Sequence, residues 1–153
     1  MKKIAVLTAL SATLALQVVG LSACGGSERH APPLDTLPDG ELVAVCAPWD
    51  GAGFSARGTG PRQRVFLTAY VPINQAAGVW SLGPKGDIRG PQASVCDGQG
   101  KRCDPASGGR FTISRSAGGA FKVTYMLTLG SGREASGTFE ARIATGQPQL
   151  MCG

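Results

Sequence analysis

The side chains with most chemistry to offer in this 153-residue chain are five cysteines, Cys24, Cys46, Cys96, Cys103 and Cys152. Cys24 stands apart, directly after a long apolar run. The other four suit either two disulfides or a tetrahedral zinc site. Structural zinc sites carry a tight pair with two to four residues between the thiols, and six residues separate Cys96 from Cys103. Disulfides are therefore expected, and no metal. Four cysteines allow three connectivities. The expected one joins Cys96 to Cys103, closing a short polar loop, and Cys46 to Cys152, pinning the C-terminus to the first strand. Either alternative makes the two ends of one short loop reach separate partners.

Catalysis finds little to work with. Hydrolases use an activated nucleophile with a base, or paired carboxylates around a scissile bond. The single histidine, His30, lies in a small, polar, proline-bearing stretch that offers no rigid shell. Within 41–153 the acids are Glu41, Asp50, Asp87, Asp97, Asp104, Glu134 and Glu140. Most sit beside glycines or at turn positions, where a carboxylate caps its own backbone. Asp97 to Asp104 alternates acids and glycines in part, as a calcium loop does, but Lys101 and Arg102 at its centre would repel the ion. No catalytic residue is nominated, a non-enzymatic role is expected, and no cofactor is implied.

Charge offers a binding reading. The chain is formally +5, and Arg57, Arg62 and Arg64 form its densest basic group. They suit an anionic partner such as lipid headgroups, a polyanionic glycan or an acidic protein, although a solvated basic face is equally ordinary. Trp49 and Phe54 flank Gly51 and Gly53, where they either make a loop-borne aromatic platform or cover one end of a core. The candidate binding surface is thus Trp49, Phe54, Arg57, Arg62 and Arg64.

The elements that must position these residues are short and β-like, for glycines are dense and long helix-forming runs are missing. Leu42 to Cys46 is an apolar strand. Arg64 to Val71 alternates, with Val65, Leu67 and Ala69 on one face, and Val79 to Leu82 and Ser94 to Cys96 are shorter strands. Phe111 and Ile113 share a face, as do Phe121, Val123, Tyr125, Leu127 and Leu129, then Phe139, Ala141 and Ile143. Three such strands in succession make an antiparallel meander whose apolar side the earlier strands must cover. The expected fold is all-β, a small β-sandwich or partly closed barrel with a C-terminal antiparallel meander and two disulfides.

The N-terminus speaks of address. Met1-Lys2-Lys3 precedes an apolar run from Ile4 to Val19, too short for a membrane span and suited to a cleavable signal. The run closes on Leu21-Ser22-Ala23-Cys24, which resembles the lipobox of bacterial lipoproteins. The resemblance covers about the first 25 residues. It implies that 1–23 is a cleaved signal peptide and that Cys24 carries a diacylglyceryl group and fatty acids such as palmitate. It also implies a cell-envelope location: Gly25 after the cysteine lacks the acidic residue that favours inner-membrane retention, so the outer membrane facing the periplasm is expected. Residues 24–40 read as a lipidated tether and 41–153 as the all-β domain. The expected partners are the lipid anchor's membrane and an envelope protein or glycan, with no nucleic acid. The domain would act as a binding or inhibitory module, or else as a structural or accessory subunit of an envelope assembly.

Overall fold

The computed structural model describes residues 35–84, 87–146 and 150–152. The signal segment, Cys24 and His30 lie outside them. Among the described residues nine strands follow one another: β1 (Asp35–Thr36), β2 (Asp39–Cys46), β3 (Ala52–Thr59), β4 (Gln63–Ala69), β5 (Gly78–Ser81), β6 (Gln92–Asp97), β7 (Cys103–Arg115), β8 (Phe121–Leu129) and β9 (Glu134–Ile143). Two 3-10 turns, Ile73–Gln75 and Ala117–Gly119, are the helical elements among the described residues.

Seven strands close on themselves in the order β2-β3-β4-β6-β7-β8-β9 and back to β2. Every neighbouring pair in that ring is antiparallel except the last, where Glu41 and Leu42 lie parallel to Arg142 and Ile143. The expected meander is present as β7, β8 and β9, in register from Arg115 opposite Phe121 to Thr128 opposite Glu134. Closure removes the open edges that a flat sheet of this length would expose.

β7 passes from one side of the barrel to the other. Its first residues pair with β6 and its later ones with β5, while a bulge at Ser107 shifts its register against β8. The Ser107 hydroxyl lies 3.2 Å from the carbonyl oxygens of both Thr128 and Leu129. The bulge bends the strand, as an extra residue on one side of a ladder does. Gly109 follows with φ of 113°, and a β-carbon there would overlap the carbonyl of Met126. Glycine is the residue that tolerates both the positive φ and the close approach.

The alternation read from the sequence sets the interior. Val65, Leu67 and Ala69 from β4, Phe121, Val123, Tyr125, Leu127 and Leu129 from β8, and Phe139 and Ala141 from β9 are buried. Ile143 is 47% exposed, contrary to the inward placement expected of it, because β9 has reached the barrel end and there pairs with β2. β3 was absent from the sequence reading. Its inward residues, Phe54, Ala56 and Gly58, taper from large to none, and Gly58 leaves room for Leu37 and the Phe139 ring.

The fold also begins earlier than the sequence reading placed it. β1 runs parallel to β9, Asp35 beside Gly137 and Thr36 beside Thr138, and Leu37 turns its side chain into the core at 5% exposure. Residues 35–40 therefore belong to the barrel and not to the tether.

Both expected disulfides are formed, Cys46 to Cys152 and Cys96 to Cys103. The second joins residues directly opposite each other on β6 and β7. The first ties the chain end to the tip of β2, at the opposite end of the barrel.

Candidate functional site

At the end of the barrel where β3, β6 and β8 finish, four chain segments frame a cleft of about 580 Å³. One wall is β1. The others are the β3–β4 turn with Arg62, the β6–β7 hairpin with its disulfide, and Arg133 from the β8–β9 turn. Leu37 and Val95, both buried, line it from the core side. The volume falls within the usual range of ligand pockets.

Each wall is fixed by its own hydrogen bonds. The β3–β4 turn closes through Gly60 N–H donating to the Gln63 carbonyl at 2.9 Å. In the hairpin loop, Asp97 accepts from the backbone N–H of Lys101 at 2.9 Å and pairs with Arg102 Nε at 3.3 Å. The Lys101 N–H, and next to it Arg102, hold the Asp97 carboxyl below the usual carboxylate range. Arg64 donates from Nε to the carbonyl of Gly98 at 3.1 Å, bracing the same loop from β4. The β8–β9 turn is fastened to β7: Asp104 accepts from both the hydroxyl and the backbone N–H of Ser131, and Gly130 N–H donates to the Pro105 carbonyl at 2.7 Å.

The lining carries both signs. Arg62, Arg102 and Arg133 face Asp35, Asp97 and Asp104 around one cavity. Asp97 is neutralised by Arg102, while Asp35 is held by the Gln63 side-chain amide at 3.0 Å and Asp104 by Ser131. Arg62 and Arg133 are exposed and form no ion pair among the described residues. Behind β1, the Tyr125 hydroxyl is buried without a hydrogen-bond partner among the described residues. Gly137 makes room for it, since a β-carbon there would meet both this oxygen and the Asp35 carbonyl.

The surface expected from sequence does not assemble. Phe54 is fully buried, in contact with the Trp80 ring at 5.6 Å between centroids, and belongs to the core. Trp49 sits on the β2–β3 turn at the opposite end of β3 from Arg62, edge-on to Tyr70 at 4.9 Å and 43% exposed. Arg57 lies on the outer face of the barrel beside Glu41, 3.5 Å away. Arg64 is committed to the Gly98 carbonyl. Of the five residues, Arg62 alone lines the cleft.

No family model matches this chain, and neither does any curated protein or solved structure. The site must therefore be read from its own chemistry. Among the described residues no three of the His, Cys, Asp and Glu side chains come together as a metal would require. What the cleft offers is guanidinium groups, carboxylates and backbone. Sequence reasoning missed Asp35 because it falls in the stretch read as tether, and Asp104 and Arg133 because nothing local marks them as sharing a site; only ring closure brings the start of β1 and the β8–β9 turn to the same barrel end as the hairpin. The one signal available was that Asp104 follows Cys103, whose disulfide had to anchor a loop.

Proposed function

We propose that this protein is a lipid-anchored lipoprotein of the cell envelope, held at the outer membrane facing the periplasm. It acts there as a non-enzymatic binding module for an envelope protein or glycan. The observation that carries the reading is the cleft itself, about 580 Å³ and built from four chain segments on a closed and cross-linked barrel. Rigid scaffolds that gather polar groups from several loops into one concavity are suited to recognition, since little ordering is required on binding.

Anchorage fits the same geometry. β1 opens at the cleft, so a lipid on Cys24 would hold this end of the barrel about 11 residues from the membrane, a reach of roughly 36–40 Å when fully extended. Lipid chains contribute about 0.8 kcal/mol for each buried CH₂, so several together anchor firmly.

Two measurements test the reading. Cys24→Ser should leave a larger precursor and abolish incorporation of labelled fatty acid, and unchanged labelling would refute the anchor. For the cleft, a photo-crosslinking phenylalanine derivative replaces Arg62 in the lipidated full chain in its native host, with Thr112 on the outer face as the control position. Adducts to an envelope component should form from position 62 and not from 112. Equal or absent adducts at 62 would overturn the assignment of binding to the cleft.

A further inference from the structure

We infer that the ligand of the cleft is an extended, mixed-charge peptide segment, taken up along the free edge of β1, and not a polyanionic glycan. The inference rests on the reading of the cleft as the binding site and names what that site takes.

The first argument is the charge on the walls. A polyanion needs a surface of one sign. Here Arg62 and Arg133, which form no ion pair among the described residues, share the cavity with the carboxylates of Asp35 and Asp104, which are held by an amide and a hydroxyl and not by a cation. Such a lining repels a chain of sulfates or phosphates at half of its positions. It suits a ligand in which acidic side chains meet the arginines and basic ones meet the aspartates.

The second argument is independent of charge. Among the described residues β1 is the terminal strand of its sheet and pairs on one side only, with β9. In that parallel ladder Leu37 N–H donates to the Thr138 carbonyl at 3.0 Å. A parallel partner bonds through the residues flanking the one opposite, so the N–H and C=O of Thr36 point away from β9. Asp35, Thr36 and Leu37 all line the cleft, which puts this open edge inside the recess. An extended segment laid beside β1 would gain main-chain hydrogen bonds from the edge, with side chains directed alternately at the walls. A glycan has no such ladder to offer. The edge is short, so main-chain bonding fixes orientation while the arginines and aspartates select sequence.

The test is selection from a random octapeptide library displayed on phage, against the intact lipidated protein in phosphatidylethanolamine–phosphatidylglycerol nanodiscs. Enriched peptides should carry at least one acid and one base. Synthesised copies should bind about tenfold more weakly when alternate amides are N-methylated, and about tenfold more weakly to the Arg62→Glu/Arg133→Glu protein. Both arginines are exposed, and retention of the two disulfides by non-reducing mass analysis checks that the double variant is folded. Dextran sulfate and phosphatidylethanolamine vesicles serve as competitors and should not displace the peptides. Enriched peptides of a single charge sign, indifference to N-methylation or to the double variant, displacement by either competitor, or no enrichment would each overturn the inference. Cross-linking from position 62 separates the two levels: adducts there combined with a failed peptide selection leave the cleft as the binding site and remove only the peptide.

Discussion

Tyr125 is the residue whose chemistry is most out of place. Its ring fills the barrel beside Phe139, yet its hydroxyl is buried without a partner among the described residues. Burial, with the Asp35 carboxylate adding to it, pushes the phenol up from 10.0 to about 12. The folded state therefore holds a proton that the unfolded chain releases first. Stability from this group is complete below pH 10 and falls as pH rises from 10 toward 12. Tyr70, raised by burial as well, acts in the same direction. Tyr125→Phe should remove much of the alkaline loss. At neutral pH it should be neutral or stabilising by about 1 kcal/mol, because an unsatisfied hydroxyl leaves the core while the ring stays. Urea unfolding at pH 7 and at pH 11 measures both, and a clear loss of stability at pH 7 would mean that the hydroxyl has a partner after all.

At the scale of elements, the two cross-links do different work. In the chain-entropy account, the ring closed by Cys96 and Cys103 is worth about 2.5 kcal/mol, and the ring of about a hundred residues closed by Cys46 and Cys152 about 4.7 kcal/mol. Replacing Cys46 and Cys152 together with serine should cost more global stability than replacing Cys96 and Cys103. The second change should instead loosen the hairpin loop and the Arg102 wall of the cleft. Thermal melts of the two double variants, with amide exchange over 97–102, distinguish these outcomes, and a reversed order of melting temperatures would refute the assignment.

The strands that sequence reasoning found are those whose side chains announce their faces. Nine alternating residues in β8 left little choice, and the pairing of the cysteines followed from loop length. β3 escaped because its inward positions end in alanine and glycine, so its pattern carries almost no hydrophobic contrast; the glycine is needed because Leu37 and Phe139 fill the space in front of it. The first half of β7 escaped because Pro105 interrupts it, a residue that sheets accept at bulges and partly paired strands. The cleft was legible only in part, through Arg62 and the Asp97–Asp104 loop, since Asp35 and Arg133 are distant in sequence and meet them through a topology that no local pattern encodes.

For the whole molecule, the decisive contact is the one between the first long strand and the last. Truncation after Arg133 removes β9, and with it Phe139, Ala141, the partner of β2 and the partner of Cys46. Such a chain should show no cooperative melting transition, since β2 and β8 become open edges and the core loses one side. A sharp two-state melt would show that the remaining strands close without it.

The same span between Cys46 and Cys152, 106 residues, has a consequence for how the protein is made. Of the four disulfide cysteines, a chain delivered from its N-terminus presents Cys46 first, then Cys96 and Cys103, and the correct mate of Cys46 last. An oxidant acting in order of arrival would join the first two thiols, a pairing absent from the finished barrel. Cys96 and Cys103 avoid this by proximity, since a hairpin forms in microseconds and disulfide exchange takes seconds or longer. Cys46 has to wait, or be released from a wrong partner by thiol–disulfide exchange. Maturation should therefore depend on an isomerising activity more than on an oxidising one, and a compartment rich in oxidant but poor in isomerase would accumulate chains whose hairpin is correct and whose barrel has never shut.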